Sequence, residues 1–402
     1  MEFSRYFSNQ DRQESIYQYF PFDVPTGVNG LAVTMTHDGR ASVVDLGLFD
    51  PHGFRGWSGS EREWVGISRS EATPGYISGE IVTGTWIVSI GLHQIEEAGI
   101  NVSIKVEFGE PKFPALRTPP THTSRPPRRE LVAPSGWRWI PADFHSHSIH
   151  SDGSLSLEEL ANLGLEQGLE LMAITDHNTV SHHKFLPEIS KKFGINLLPG
   201  QEVTTASGHA NAFGKIDWVD YRQATDKWLS DTKERGGLLS INHPVAYPCH
   251  WDREIPSSLQ FLELWHSSWD RRSEEPLDWW EKVGRPIPIG GSDFHRPGRD
   301  GLPGQPTTWI LCQADSIEIT QSDVFEALEN GRVAISASTS APVILNVEEK
   351  VYVIGGEGLM LQLPNGSEKK ISSPRQEIDA QRGIYRLTDS KGLVHSLGYV
   401  HS

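Results

Sequence analysis

The most constraining feature of the chain is a series of short apolar stretches that each run into histidine or a carboxylate. The stretch "ADFHSHSIHSDGS" (142–154) opens the series, and "LMAIT", "LLSIN" and "PIPIGGSD" follow it. A buried strand, then polar chemistry at its carboxyl end, then a helix is typical of α/β barrels, in which the site forms from loops at the strand ends. The pattern therefore predicts an α/β barrel with one shared polar site.

The polar residues at these strand ends are candidate metal ligands. Side chains alternate along a strand, so His145 and His147 share one face and can hold a single ion, and Asp293 with His295 repeats this spacing. A bend after "LLPG" aims Glu202 into the site, where its carboxylate can bridge two ions. The predicted ligand set is His145, His147, Asp152, His177, Glu202, His209, His243, Asp293 and His295.

These ligands offer nitrogen and oxygen only, which suits Zn, Mn or Fe and disfavours a thiolate zinc site. They exceed the needs of one tetrahedral ion, so two or three divalent ions are expected. A multinuclear site supplies a hydroxide nucleophile and a clamp on developing negative charge. The alternative, a group of hydrogen-bonded core histidines, requires five such clusters to arise by chance at five strand ends.

Composition limits the partners of this site. The formal net charge of −16 argues against a nucleic acid polymer or a membrane surface as partner, because both require a basic footprint. An anionic small-molecule ester is still allowed, since bound ions reverse the local charge. The chain has two cysteines, no apolar leader segment and no long apolar run, which predicts a cytoplasmic protein. The sequence also permits a homo-oligomer.

Pattern changes along the chain predict four segments. Residues 1–110 contain alternating stretches such as "INVSIKVEF" and are expected to form a β-sandwich. Residues 111–136 form a linker, because seven prolines between 111 and 134 exclude a helix or a central strand. Residues 137–341 form the hydrolase domain, and residues 342–402 form a small C-terminal β extension.

The motifs resemble those of the PHP (polymerase and histidinol phosphatase) superfamily. The stretches "DFHSHSIHSDG", "AITDHNTV", "GQEVTTASGHAN", "INHP" and "GGSDFH" occur in the order expected for that superfamily. "GWRWIPADFHSHSIHSDG" and "GGSDFHRPG" are also similar to motifs of the CehA/McbA-type metallohydrolases. With the N-terminal segment, the resemblance covers most of the chain apart from the C-terminal sixty residues.

The resemblance implies a distorted (β/α)7 barrel with a di- or trinuclear centre. It assigns one ion to His145, His147, Glu202 and Asp293, and a second to Glu202, His209 and His243. A third ion takes Asp152, His177 and His295. Many family members have histidine where this chain has Asp152, and aspartate there is similar to the small-molecule phosphatases. Asp176 is expected to orient a neighbouring ligand.

The first functional hypothesis is hydrolysis of a small-molecule phosphoester. Arg296 and Arg299 are the candidate phosphate clamp, and His150 or His250 is the candidate proton donor. His182 and His183 are expected to be solvated in a polar loop. The alternatives are a carbamate or aryl ester hydrolase of CehA type, and a non-catalytic metal-binding or partner-binding protein. In the first of these an apolar pocket would be lined by Tyr247, Trp251, Trp265 and Trp269.

Overall fold

A computed structural model describes residues 1–115, 118–269, 274–313 and 319–401 of the chain. The chain divides into two compact units. The first comprises residues 1–118, 148–156 and 176–184, and the second comprises the remaining residues. The predicted domain boundaries near residues 110, 136 and 341 remain predictions. The first unit differs from the predicted N-terminal segment because it also contains two short loops, 148–156 and 176–184.

The first unit contains two four-stranded antiparallel sheets, with strand orders β1-β8-β3-β6 and β2-β7-β4-β5. Apolar side chains from both sheets form one buried core. Its elements are β1 (Glu2–Phe7), α1 (Asn9–Glu14), β2 (Tyr17–Val24), β3 (Gly30–His37), β4 (Val43–Asp50), β5 (Gly53–Trp57), β6 (Trp64–Ser68), β7 (Gly84–Gln94) and β8 (Ile100–Phe108).

Strand β8 has the alternating burial that its sequence predicts. Its residues alternate between buried and exposed from Ile100 to Glu107, as the period of a half-buried strand requires. Ile100, Val102, Ile104 and Val106 face the core, whereas Phe108 remains 39% exposed. The predicted alternation is thus present up to the last residue of the strand.

The second unit is built on a thirteen-stranded mixed sheet, with strand order β15-β14-β13-β12-β11-β10-β9-β16-β17-β24-β23-β20-β21, beside a three-stranded sheet, β18-β19-β22. The strands of its first half are β9 (Trp137–Asp143), β10 (Leu171–Ile174), β11 (Asn196–Thr205), β12 (Gly208–Phe213), β13 (Leu238–Ile241), β14 (Phe261–His266) and β15 (Ile287–Gly291). The later strands are β16 (Thr307–Gln313), β17 (Val333–Ser336), β18 (Val343–Val347), β19 (Lys350–Ile354), β20 (Met360–Gln362), β21 (Glu368–Lys370), β22 (Arg375–Asp379), β23 (Gly383–Thr388) and β24 (Val394–Val400).

In the described part of the second unit five helices connect these strands, which makes it α/β as predicted. They are α2 (Leu157–Glu166), α3 (Leu186–Phe193), α4 (Thr225–Glu234), α5 (Glu275–Lys282) and α6 (Gln321–Glu329), and a 3-10 helix, His183–Phe185, precedes α3. Strands β9, β10 and β11 are parallel, as are β13, β14 and β15, whereas β12 runs antiparallel between the two groups. Most of the predicted ligands follow the carboxyl ends of these parallel strands, whereas Glu202 lies within β11 and His209 lies at the start of β12.

The segment after residue 341 continues the large sheet. Strand β24 pairs antiparallel with β17 from Ala334 to Ser336, and β23 pairs with β24. The proline-rich segment contains no helix or strand among its described residues, and Arg125 and Arg129 anchor it by donating to the carbonyls of Leu169 and Ala341. Among the described residues, no helix is both long and apolar enough to cross a membrane.

Candidate metal centre

Two short segments of the second unit pair with each other and bring the His-x-His and Asp-x-His motifs together. Ser146 and Phe294 form a parallel bridge. The amide of His147 donates to the carbonyl of Phe294 at 2.9 Å, and the amide of Asp293 donates to the carbonyl of His145 at 2.9 Å. The rings of His147 and His295, which flank this bridge, stack with their centroids 4.1 Å apart.

Glu202 is the centre of the cluster. It is fully buried on β11, and its Oε1 lies 3.3 Å from Nε2 of His145, 3.1 Å from Nδ1 of His209 and 3.3 Å from Nε2 of His243. Its Oε2 lies 3.5 Å from Nε2 of His147. His209 reaches Glu202 because β11 and β12 form a hairpin in which Thr204 pairs with His209. Glu202 lies two residues before Thr204, so its side chain is on the same face of the hairpin as that of His209. A carboxylate with imidazoles on both oxygens can bridge two cations.

Four of these side chains fit the ligand shell of a single divalent ion. Donor atoms of His145, His147, Glu202 and Asp293 all lie within 4.8 Å of one another. Oδ1 of Asp293 is 3.0 Å from Nε2 of both histidines. Ligand bonds of roughly 2.0–2.2 Å in tetrahedral geometry place ligand atoms roughly 3.4 Å apart. The spacing and the nitrogen–oxygen chemistry of the set therefore both fit such an ion.

Contacts on the other side of His145 determine which of its nitrogens faces the cluster. Oε1 of Glu263 lies 2.9 Å from Nδ1 of His145, so Nδ1 carries the proton and donates it. Nε2 then presents a lone pair to the carboxylate oxygens of Glu202 and Asp293, and makes no hydrogen bond among the described residues. Lone pairs that converge in a buried site require a proton or a cation between them.

The pKa shifts of His145, His243 and Asp293 also indicate that the cluster stabilises positive charge. Burial alone would lower the pKa of His145, but the carboxylates of Asp293, Glu263 and Glu202 hold it well above its ordinary value. Burial also opposes ionisation of Asp293, but His145 and His295 hold its pKa well below the ordinary value. Burial and Glu202 act in opposite directions on His243, and the carboxylate prevails and raises its pKa. The cluster favours cations.

Backbone strain occurs at two of the predicted ligands. Asp293 and His243 have φ values of 52° and 28°, in the left-handed region that residues with a Cβ seldom adopt. Such a conformation costs on the order of 1–3 kcal/mol and persists where surrounding contacts enforce it. At His243 the enforcing contact is Oε2 of Glu263, which accepts a hydrogen bond from the His243 amide at 2.8 Å.

Two residues of β14 belong to this cluster although sequence reasoning did not select them. Glu263 is 2% exposed and contacts both His145 and His243. Nε2 of His266 lies 3.1 Å from Oδ2 of Asp293, and its Nδ1 lies 2.7 Å from Oγ of Ser268. The stretch "FLELWH" carried a signal for both, because a glutamate interrupts an apolar strand and a histidine ends it.

Asp152 and His177 lie together in the first unit. Oδ1 of Asp152 is 3.5 Å from Nε2 of His177, and both side chains are partly exposed. The neighbouring Asp176 is fully buried and accepts hydrogen bonds from the amide and hydroxyl of Ser148 and from the hydroxyl of Ser151. Asp176 thus ties together the two loops that carry Asp152 and His177.

The remaining predicted residues differ in their surroundings. His150 is 6% exposed, and its Nδ1 lies 2.7 Å from Oγ of Ser181. His250 is exposed and stacks on the Tyr247 ring at 6.0 Å, whereas Arg299 is exposed and Arg296 is half-buried. The expectation that His182 is solvated was wrong: it is fully buried with its Nδ1 3.3 Å from Asp176, because the loop containing it is packed rather than open.

A cavity of about 430 Å³ opens beside the cluster in the second unit. Its polar part is formed by His243, Glu263, His266 and Asp293, and its apolar part includes Val245, Ala246, Tyr247, Leu264, Trp269 and Pro276. Of the aromatic residues expected in an apolar pocket, Tyr247 and Trp269 line this cavity, whereas Trp251 and Trp265 are buried, at 7% and 8% exposed. The cavity therefore combines a charged end at the ligand cluster with an apolar wall.

Residues 143–248 match the family model of the PHP domain. The matched range contains the His-x-His motif, Glu202, His209 and His243. This part of the chain is therefore similar to the PHP domain. The match supports the predicted resemblance to the PHP superfamily, while Asp293, His295 and the two residues of β14 lie beyond the matched range.

Three relatives show how far the similarity extends. An uncharacterized protein of Methanocaldococcus jannaschii is 29% identical over 141 residues, which is 32% of this chain and 82% of the relative. A 5'-3' exoribonuclease of Haemophilus influenzae is 38% identical over 63 residues, 16% of this chain and 23% of the relative. A phosphoribosyl 1,2-cyclic phosphate 1,2-diphosphodiesterase of Eggerthella lenta is 32% identical over 62 residues, 15% of this chain and 24% of the relative. The chain spans about a quarter of the two enzymes.

Among solved structures, similarity is found to a two-domain protein of Bacteroides vulgatus that contains a predicted PHP-like metal-dependent phosphoesterase. The two share 19% sequence identity with a TM-score of 0.44, over 68% of this chain and 99% of the other.

Proposed function

We propose that this chain is a metal-dependent hydrolase that cleaves a phosphoester of a small molecule with two or three divalent ions. The prediction of an enzyme is confirmed at the level of a metal-dependent hydrolase, since residues 143–248 match the family model of the PHP domain and two relatives of the chain are named for phosphoester hydrolysis. The observation that carries the proposal is the convergence of four imidazoles and the Asp293 carboxylate on the buried Glu202 and its neighbours.

In this proposal His145, His147, Glu202 and Asp293 hold one ion, and Glu202, His209 and His243 hold a second. Asp152, His177 and His295 are the proposed ligands of a third. When bound, divalent ions supply Lewis acidity toward phosphoryl oxygens and lower the pKa of the attacking water. Zinc, manganese and iron all suit these nitrogen and oxygen donors.

The chain's own residues orient this centre. Glu263 fixes the proton of His145 on Nδ1 and also holds the amide of His243. His266, at the wall of the cavity, holds Oδ2 of Asp293 and so leaves Oδ1 for His145 and His147. Arg296 and Arg299 remain the proposed phosphate clamp, and His250 remains a proposed proton donor.

The test of this proposal is metal analysis followed by a substrate screen. We expect purified protein to retain about two or three divalent ions per chain and to hydrolyse p-nitrophenyl phosphate or its bis-ester with manganese. A short 5'-phosphorylated RNA belongs in the screen because one relative is an exoribonuclease. The His145→Ala variant should lose the activity, and full activity in that variant would contradict the site. Turnover of RNA in preference to small esters would contradict the small-molecule substrate.

An aryl carbamate or carboxylic ester is the second candidate substrate, and the cavity favours it. The wall formed by Val245, Leu264, Trp269 and Pro276 suits a flat apolar leaving group next to His243 and Asp293. Adding 1-naphthyl carbamate to the screen separates the two classes. Carbamate turnover without any phosphoester turnover would replace the first candidate by the second, and would also support the CehA/McbA subtype.

Three finer predictions stay open beside this proposal. The distorted (β/α)7 barrel is proposed from the resemblance. A homo-oligomer and a cytoplasmic location also stay predictions. The non-catalytic alternative has little support, because a chain that had lost the activity would be expected to lose ligands, and the predicted residues around Glu202 are present and converge.

A further inference from the structure

Two loops that carry predicted metal ligands belong to the first unit. The Asp152 loop (148–156) and the His177 loop (176–184) group with residues 1–118 rather than with the sheet that precedes them in sequence. We define strands β1–β8 as the N-terminal sandwich. Arg62 and Gly75, in the connections between its strands, contact these loops.

Arg62, between β5 and β6, holds the Asp152 loop. Its Nη1 donates to the carbonyl of Ser151 at 3.2 Å, and its Nη2 donates to the carbonyl of Ile149. These carbonyls flank His150 and immediately precede Asp152. A guanidinium carries a rigid fork of donors, so two carbonyls bound to one arginine fix both the position and the direction of this stretch of backbone.

Gly75, between β6 and β7, contacts both loops. Its amide faces Nδ1 of His150 at 3.4 Å and Oγ of Ser181 at 3.1 Å, and its carbonyl accepts from Oγ1 of Thr179 at 2.7 Å. Its φ is +99°, and a Cβ at this position would lie 2.5 Å from the carbonyl oxygen of Trp57 and 2.9 Å from that of His150. Only glycine permits this approach.

These contacts also indicate the role of the His150 side chain. Because its Nδ1 faces the hydroxyl of Ser181 and the amide of Gly75, it serves as an acceptor inside the loop packing. Asp176 completes the arrangement from the second loop by accepting from Ser148 and Ser151 of the first. The result is a fixed pair of loops on which Asp152 and His177 present ligand atoms 3.5 Å apart.

We propose that the N-terminal sandwich is a support that holds the Asp152 and His177 loops in a metal-ready arrangement, with Arg62 and Gly75 as positioning residues and His150 as part of the support. The inference rests on the proposed metal-dependent function, because Asp152 and His177 are proposed ligands of one of its ions. It assigns a purpose to the N-terminal unit and gives His150 a positioning role instead of proton donation.

The test compares Arg62→Met with Arg62→Lys in the full chain. Methionine keeps an apolar stem and removes the donors, whereas lysine retains one donor group. Arg5→Met is the matched control, since Arg5 is an exposed arginine of the same sandwich that contacts Asp11 and Gln18. Two measurements are made: hydrogen exchange of the two loops in metal-free protein, and the number and affinity of bound manganese ions by electron paramagnetic resonance titration.

We expect Arg62→Met to speed exchange in both loops and to weaken the loosest manganese site by about tenfold to a hundredfold. The tighter manganese sites should be unchanged, and Arg62→Lys should restore part of the loss. Unchanged loop exchange with unchanged manganese binding would overturn the inference. So would uniform loss of every manganese ion with a lower melting temperature in both variants, because Arg62 would then support the fold as a whole.

Failure of the proposed function gives a different result. Wild-type protein that binds no manganese, zinc or iron would contradict the metal-dependent function itself. The exchange comparison is made without metal and still decides whether Arg62 fixes the loops, so the two failures are distinguishable.

Discussion

Glu263 and His145 are joined by a buried contact of 2.9 Å between Oε1 and Nδ1, while the other oxygen of Glu263 accepts from the amide of His243. One carboxylate thus fixes the tautomer of one predicted ligand and the backbone of another. Contacts of this kind orient metal-binding imidazoles and raise their basicity.

Glu263→Gln should weaken metal binding by about tenfold to a hundredfold. Glutamine has one acceptor oxygen, so either the His145 Nδ1 proton or the His243 amide would face an NH2 group. Isothermal titration with manganese measures the effect. Glu377→Gln on the exposed strand β22 is the control, because Glu377 is half-exposed and contacts Lys350. Equal manganese affinity in Glu263→Gln and wild type would show that the contact does not orient a ligand.

Glu202→Gln should reduce the content of at least two ions together. The Glu202 carboxylate contacts His145, His209 and His243 through Oε1 and His147 through Oε2, so its removal affects the proposed ligands of both ions. We expect metal affinity to fall by at least about a hundredfold. Metal analysis after dialysis checks this result, and loss of a single ion would contradict a bridging role.

Trp269→Ala should distinguish aryl from alkyl substrates. Trp269 is 5% exposed and lines the cavity, so its removal costs an aryl group roughly 1.5–3 kcal/mol of apolar contact. The value of kcat/KM for p-nitrophenyl phosphate should fall roughly tenfold to a hundredfold, while that for methyl phosphate should change little. Phe185→Ala, at a side chain that is 43% exposed, is the control. Equal losses for both substrates would place the leaving group elsewhere.

The two cysteines should react with thiol reagents very differently. Cys249 is exposed and lines the cavity, whereas Cys312 is buried and burial raises its pKa to about 12. Because the thiolate is the reactive form, Cys312 should be inert at pH 8 and gain reactivity only as the pH rises toward its pKa. Ellman's reagent should therefore label one thiol per native chain at pH 8 and two after unfolding. Cys249→Ser should abolish the native labelling; labelling that persists would mean that Cys312 is accessible.

Local patterns determined much of what the site contains. The strict alternation of β8 and the apolar stretches "LMAIT" and "LLSIN" predicted strands that the structure contains, because the side-chain period of a strand is a local property. The same reasoning put His145 and His147 on one side of a strand end. The type of ligand also follows from residue identity alone, so nitrogen and oxygen coordination could be predicted without a fold.

Tertiary structure decided the contacts that orient these ligands. Glu263 reaches His145 only because β14 lies between β13 and β15 in the sheet, 118 residues away along the chain. His182 is buried rather than solvated because the loop around it packs on Asp176, which no local pattern encodes. The sequence by itself therefore determined that the predicted ligands are nitrogen and oxygen donors, while long-range packing decided which carboxylates lie beside each imidazole, since hydrogen-bond partners depend on spatial neighbours and not on sequence spacing.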